Sequence, residues 1–218
     1  MSDDELFADW VPWIGRVENE LTTIAWNRRM FRDVSRVFKY NAHLREVGGF
    51  VYEWMLLNYT AGVTMAFRRE VDKAGHMGFV HLLEEIAKRP QVLSRQRQHD
   101  HWPLRSPFED ARRRESFEVI PFIAFADDPM KDHIDPAAVQ ADIATVRAET
   151  KLAQEYVEQI IAHRVRREPE TITFEQFNAA IDALTPIFMK YYARLTSSTL
   201  IQLEPVRQFN AHLPFTFP

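Results

Sequence analysis

The residues with the clearest capacity for chemistry are a histidine and three arginines at the end of one amphipathic segment. His163 is followed by Arg164, Arg166 and Arg167. An imidazole titrates near neutrality and can act as a general base on a ribose hydroxyl, and guanidinium groups bind phosphate. The alternative interpretation is structural, because cationic side chains at a helix C-terminus also complement the helix dipole.

A second charged cluster follows a long apolar stretch and contains Arg68, Arg69 and Asp72. Arg68 and Asp72 are four residues apart, so on a helix they can form an ion pair that closes the core. A guanidinium beside a groove can instead bind an anionic ligand. Arg68 and Arg69 are therefore candidates for substrate or anion binding, as are Arg166 and Arg167.

Metal and nucleotide chemistry find little support in the sequence. His81 and Glu85 are four residues apart on one predicted helix face, but two ligands do not make a site, and no H-E-x-x-H pair occurs. The chain has no cysteine and none of the motifs G-x-S-x-G, P-loop or G-x-G-x-x-G. We predict no metal site and no cofactor.

Composition indicates a helical protein with a large core. The chain has 218 residues, 46% of them hydrophobic, with 16 Phe and only 6 Gly. Its formal charge of -4 does not indicate a strongly basic nucleic-acid binder, although local basic clusters remain compatible with it. No uncharged apolar run approaches about 18 residues, and the N-terminus is acidic, so we expect a cytoplasmic protein without a membrane span.

The elements that must position these residues are predicted from helical periodicity. Residues 4–46 keep nearly helical spacing, with Pro12 and Gly15 expected to break the region into a short and a long helix. Residues 50–72 are apolar on most sides, which predicts a central helix buried on most sides. A short third helix is predicted over residues 79–88.

The second half of the chain begins with residues 90–134, which we interpret as a long irregular connection or insertion. Asp135 followed by Pro136 predicts the start of a fourth helix that runs to about Arg166. Its apolar positions recur in steps of three and four: Val139, Ile143, Val146, Thr150, Ala153, Val157 and Ile160.

A fifth helix is predicted from the capping box formed by Thr173 and Gln176, with a bend expected at Pro186. The fold class is therefore all-α, an antiparallel bundle of about five main helices. We assign residues 1–200 to a single domain and residues 201–218 to a tail.

Several short motifs resemble the HEPN superfamily, and within it the AbiU-like branch of abortive-infection proteins. They are Ile160-Ile161-Ala162-His163-Arg164, the segment from Thr171 to Phe174, the segment from Ala180 to Phe188, and Phe67-Arg-Arg-Glu-Val-Asp72. The resemblance extends over about residues 50–200.

The resemblance implies an α-helical bundle, a homodimer, and a role in phage defence or a toxin–antitoxin system. Many members are metal-independent ribonucleases with an arginine, four to six residues, and then a histidine. His163 matches that histidine, but Tyr156, Val157 and Glu158 occupy the positions expected for the arginine. An active enzyme would use His163 as base with Arg164 nearby, and its motif would be incomplete.

Two other functions remain open. The first is a non-catalytic interaction module that binds a cognate partner protein, since abundant aromatic residues can coat a partner surface. The second is a small-molecule-binding helical protein with a pocket near Trp54 and Arg68. RNA, a partner protein and a second copy of the chain are thus the expected partners.

Overall fold

The structure, a computed structural model, describes residues 1–71, 77–97, 131–156, 173–196 and 203. In these ranges the chain forms six α-helices, one short 3-10 helix and no strand, which confirms the all-α fold class. The helices are α1 (Asp3–Tyr40), α2 (Ala42–Val47), α3 (Gly49–Val71), α4 (Phe79–Lys88), α5 (Pro136–Tyr156) and α6 (Phe174–Thr196), and the 3-10 helix is Pro90–Leu93.

Helix α1 is the longest helix of the bundle and packs antiparallel to both α3 and α6. Phe31 stacks on Tyr59 of α3 and on Phe174 of α6, with 4.7 Å between ring centroids in each case. Helices α5 and α6 are also antiparallel, because Asp142 contacts Tyr191 at one end and Tyr156 packs on Phe177 at the other. The four long helices enclose one hydrophobic core.

Helix α1 begins with a capping box, in which Ser2 Oγ accepts from the Glu5 N–H at 3.2 Å. It then continues through Pro12 without interruption, so the predicted break at Pro12 and Gly15 is wrong. Proline removes the hydrogen bond to the Ala8 carbonyl, but Ala8 and Pro12 are both exposed, so water can reach that carbonyl. Burial of the neighbouring apolar side chains stabilises the helix around the proline: Trp10, Trp13, Ile14 and Val17.

The starts of α5 and α6 confirm the sequence signals. Asp135 Oδ1 accepts from the Ala137 N–H at 2.9 Å, and Thr173 forms its capping box with Gln176. The predicted apolar stripe of α5 is buried as far as the structure describes it: Val139, Ile143, Val146, Thr150 and Ala153. The stripe of α6 is buried from Phe177 to Leu195.

Helix α3 differs from the prediction, because it is not buried on most sides. Its side chains are buried only from Tyr59 onward, while Phe50, Trp54 and Leu57 are 80%, 58% and 67% exposed. The predicted stripe through these three residues therefore faces away from the core. A stripe of apolar residues defines one face of a helix but not which partner covers it.

The first half of α3 belongs to a two-helix arm, which we define as residues 32–58. No side chain between Phe31 and Tyr59 is buried in the core. The inner seam of the arm is nevertheless packed, with Phe38 and Tyr52 5.2 Å apart between ring centroids. Gly48 lies against the Phe38 ring, where a Cβ atom would be only 2.8 Å from it. The arm is thus a well-packed helical hairpin that projects beyond the main core.

The predicted irregular connection, 90–134, is described only at its two ends. The Arg95 N–H donates to the Asp132 carbonyl at 2.8 Å, and Ser94 forms an isolated bridge with His133. Residues 98–130 lie outside the described residues. The two described ends of this connection therefore lie side by side. The assignment of residues 1–200 to one domain stays a prediction.

Among the described residues, no helix is long and apolar enough to cross a membrane.

Candidate nucleic-acid interface

Most of the predicted site falls where the structure gives no description. His163, Arg164, Arg166 and Arg167 lie between the end of α5 and the start of α6, outside the described residues, as does Asp72 after α3. Their predicted roles in catalysis, anion binding and ion pairing therefore stay predictions.

Arg68 and Arg69 are both described, at the C-terminal end of α3. Arg69 Nη2 lies 2.6 Å from Glu20 Oε2 and so joins α3 to α1, while half of its side chain remains exposed. Arg68 is partly buried one position earlier. Arg69 is therefore part of the contact between two helices, as well as a candidate for anion binding.

The connection that carries His163 begins and ends at the same end of the bundle. Tyr156, which precedes it, packs edge-on against Phe177 at 6.4 Å between ring centroids. Thr173, which follows it, caps α6 next to Phe174, and Phe174 stacks on Phe31 and Tyr59. We call this end of the bundle the distal end; it is also where the two-helix arm begins.

Five cationic residues of α1 lie at the distal end, and we name them the basic ridge. They are Arg28, Arg29, Arg32, Arg36 and Lys39. Arg28, Arg32, Arg36 and Lys39 follow each other in steps of four, four and three, which places them along one side of the helix. Such a row of cations has the spacing of a surface that can follow a phosphate backbone.

The register between α1 and α6 places the ridge beside the start of α6. Arg28 forms a salt bridge with Asp182, and Phe31 stacks on Phe174 at the start of α6. Because the two helices are antiparallel, Arg32 lies near the level of Phe174 and Arg36 lies beyond it. The ridge therefore extends past Thr173, where the connection joins α6.

Two carboxylates among the described residues form ion pairs with cations of the ridge. Asp33 lies 3.8 Å from Arg29 and 3.9 Å from Arg36, and Asp182 pairs with Arg28. Since Arg36 is 68% exposed, its guanidinium is accessible to a phosphate group.

The ridge was not identified from the sequence, although its signal was present. Arginines at positions 28, 32 and 36 recur every four residues, which is the spacing of one helix face. Only the fold shows that this row of cations lies beside the start of α6, the first described element after His163 in the sequence.

The histidine considered as a metal ligand packs against an aromatic ring. The rings of His81 and Trp13 are 5.3 Å apart, and His81 Nδ1 lies 3.7 Å from Glu84. In the part of the chain that the structure describes, no three His, Asp or Glu side chains converge as metal ligands would.

Other polar groups are buried away from the distal end. Asp142 Oδ2 accepts hydrogen bonds from Lys190 Nζ and the Tyr191 hydroxyl, each at 2.6 Å. Arg194 lines a small pocket with Phe7 and Ser94 that has room for about one water molecule. Burial lowers the pKa of Arg194 to about 10, so it stays charged at neutral pH. These groups stabilise the bundle and do not form an open cleft.

Comparisons of the chain with protein-family models, with curated proteins and with solved structures give no match.

Proposed function

We propose that this protein is a HEPN-like helical protein that binds RNA at its distal end, in a phage-defence or toxin–antitoxin type of system. The observation that carries the RNA-binding proposal is the position of the basic ridge beside the start of α6, the first described element after His163 in the sequence. The process and the family membership rest on the resemblance of short motifs alone.

Binding would begin with the phosphate backbone, because the ridge offers guanidinium groups and no base-reading groove. Arg32 and Arg36 are the exposed members closest to the His163 connection. Arg164, Arg166 and Arg167 would extend the positive surface from that connection. Such contacts give affinity that depends on salt and little on sequence.

If the protein cleaves RNA, it would do so without a metal ion. His163 would take the proton of a ribose 2′-hydroxyl, and the 2′-oxygen would attack the adjacent phosphorus to form a 2′,3′-cyclic phosphate as the P–O5′ bond breaks. The leaving 5′-oxygen would take a proton from water, while Arg164 stabilises the charge on the phosphate oxygens. Because the expected arginine before His163 is absent from the sequence, RNA binding without cleavage is equally part of this proposal.

The binding proposal is tested by charge reversal with a matched control. Arg32→Glu/Arg36→Glu and Lys88→Glu/Lys151→Glu each change the formal charge by -4, since two cations become two anions. Lys88 and Lys151 are exposed and lie on α4 and α5. We expect the ridge variant to bind single-stranded RNA at least 10-fold more weakly, with a shallower salt dependence, and the control to lose less than 2-fold. Equal losses in both variants would contradict the proposal.

Cleavage is tested separately with labelled RNA in the presence of EDTA. Activity that is lost in His163→Ala and retained in the ridge control supports the catalytic role. Equal cleavage by the wild-type protein and His163→Ala would exclude His163 as the base.

The exposed aromatic residues of the arm favour a second function, binding of another protein, as part of the same system or instead of RNA binding. The small-molecule alternative has weaker support. Trp54 and Arg68 are 14 residues apart on α3, which is about 21 Å along the helix. A single pocket does not span that distance.

A further inference from the structure

We propose that the tip of the two-helix arm docks end-on into the headgroup layer of an anionic lipid membrane. We define the tip as residues 37–54, where α1 ends, α2 follows and α3 begins. Its large apolar side chains are each 50% to 80% exposed: Val37, Tyr40, Val47, Phe50, Val51 and Trp54. The proposal goes beyond RNA binding and does not depend on it.

The apolar residues of the tip lie on opposite sides of the helix pair. Phe38 of α1 and Tyr52 of α3 face each other across the packed seam. Tyr40 and Trp54 each follow one of these two residues by two positions, which is about 200° around a helix. Tyr40 therefore faces away from α3, and Trp54 faces away from α1. Phe50 lies two positions before Tyr52 and so lies on the same side as Trp54.

This arrangement favours lipid over a protein as the occupant. A folded partner or a second copy covers one side of a helical hairpin and leaves the other side in water. A bilayer surrounds a projecting segment on all sides, so it covers the apolar residues on both sides of the tip at once. The seam between Phe38 and Tyr52 does not need these residues, because they face away from it. Exposed apolar clusters without such a structural role mark interaction sites, including sites for membranes.

The depth of the apolar residues fits the headgroup layer. Tyr40 lies level with Phe50, since each is two residues from the contact between Phe38 and Tyr52. Trp54 lies four residues, or about 6 Å, further from the end of the arm than Phe50. Interfacial segments bury their apolar side chains by about 5–10 Å, and tyrosine and tryptophan are enriched at that level of a membrane.

The distribution of charge orients the arm towards an anionic surface. Residues 28–58 contain six of the 27 arginines and lysines of the chain but only three of its 31 aspartates and glutamates. Arg36 is 68% exposed and lies one turn before Tyr40. Lys39 Nζ lies 5.6 Å from the centre of the Tyr40 ring. These two cations can therefore bind lipid phosphates while the ring enters the headgroup layer.

Exposed carboxylates limit how deeply the tip enters. Glu46 on α2 and Glu53 on α3 are both exposed. A carboxylate is costly in hydrocarbon, so the tip stays in the hydrated headgroup layer. The attachment is thus shallow and reversible, and it needs the attraction of anionic lipids in addition to the apolar contacts.

Vesicle binding of the full chain tests the proposal with a matched control. The probes are sedimentable phosphatidylcholine vesicles with and without about 30% phosphatidylglycerol. Phe50→Glu places a carboxylate at the tip, and Leu152→Glu makes the same change of charge at an exposed leucine of α5. We expect the wild type to bind the anionic vesicles at least 10-fold more tightly than the neutral ones. On anionic vesicles Phe50→Glu should lose at least 10-fold in affinity, and Leu152→Glu less than 2-fold.

A second measurement tests the end-on geometry, because the chain has no cysteine. The single variants Tyr40→Cys, Trp54→Cys and Leu152→Cys are each labelled with an environment-sensitive fluorophore. With anionic vesicles the emission should move to shorter wavelength at positions 40 and 54 and stay unchanged at position 152. This result would support the proposal even if Phe50→Glu failed to fold. A shift at only one of the two tip positions would contradict end-on docking.

Three further results would overturn the proposal. They are equal binding of the wild type to anionic and neutral vesicles, equal vesicle binding by Phe50→Glu and the wild type, and tip fluorophores that respond to protein concentration but not to vesicles. The last result would show that a second copy covers the tip. RNA affinity of Phe50→Glu should equal that of the wild type, so vesicle binding and RNA binding can fail independently of each other.

Discussion

Glu70 on α3 closes the N-terminus of α4: its Oε2 atom accepts a hydrogen bond of 2.9 Å from the Phe79 N–H. The first N–H groups of a helix have no partner inside the helix, so this contact satisfies one of them. Glu70 is only 4% exposed. Its pKa is raised from 4.5 to about 7: burial and the charge of Glu20 raise the pKa, whereas the Phe79 hydrogen bond and the charge of Arg69 lower it.

The first prediction is a pH dependence of stability that arises from Glu70. The folded-state pKa lies above the unfolded value, so the stabilisation is complete below about pH 4.5 and is lost as the pH rises through about 7. From this group alone, the protein should be about 2 kcal/mol less stable at about pH 8.5 than at about pH 5.5. Urea denaturation at the two pH values measures the difference.

Glu70→Gln is the matching variant, because its carbonyl oxygen can still accept the Phe79 N–H without carrying a charge. We expect the drop in unfolding free energy between the two pH values to shrink by about 2 kcal/mol in this variant. The same drop in both proteins would mean that Glu70 titrates near its ordinary pKa.

The second prediction concerns Gly78, which precedes α4 and lies against the end of α3. A Cβ atom at Gly78 would be 2.4 Å from the Arg69 carbonyl oxygen and 3.0 Å from that of Glu70. Gly78→Ala should therefore lower the unfolding free energy by about 1–3 kcal/mol. Gly15→Ala is the control, since nothing lies within 4 Å of its added methyl group.

Gly15 lies inside α1, where alanine is a better helix former than glycine. Gly15→Ala should raise stability by about 0.5–1 kcal/mol. Thermal denaturation of both variants checks the pair, and two shifts in the same direction would contradict the close approach at Gly78.

The third prediction separates the two hydrogen bonds that Asp142 accepts. Tyr191→Phe removes one donor and leaves the Asp142–Lys190 ion pair, so it should cost about 1 kcal/mol. Asp142→Ala leaves the buried Tyr191 hydroxyl and the half-buried Lys190 without this acceptor, and should cost about 2–3 kcal/mol.

The double variant Asp142→Ala/Tyr191→Phe completes a cycle measured by urea denaturation. We expect it to lose less than the two single variants together, because the penalty of an unsatisfied hydroxyl disappears. Strict additivity would mean that Tyr191 finds another acceptor when Asp142 is removed.

The parts of the fold that were predicted correctly are those with local signals. Asp135 before Pro136, and Thr173 with Gln176, specify helix starts through bonds between residues two or three positions apart. The apolar stripe of α5 was also predicted correctly as far as the structure describes it, because its positions recur at the regular spacing of one helix face.

The wrong predictions concern features of the fold that depend on residues far apart in the sequence. Pro12 stays helical because the tryptophans around it are buried by other helices, which outweighs its own poor propensity. Trp54 and Leu57 belong to a helix that was predicted to be buried on most sides, because periodicity alone does not show which part of a helix its neighbours cover. In the structure α5 and α6 leave the first half of α3 uncovered. The basic ridge needed the antiparallel register of α1 and α6, which no local pattern contains.

The unequal lengths of the helices have a mechanical consequence. Helix α1 has 38 residues, about 57 Å, whereas α6 has 23 residues, about 35 Å. The arm can thus tilt relative to the core about the ring stack at Phe31. A tilt of about 10° there would displace Tyr40, about 13 Å further along α1, by about 2 Å. Any molecule that binds the tip of the arm would exert a torque on the aromatic rings that join α1 to α3 and to the start of α6.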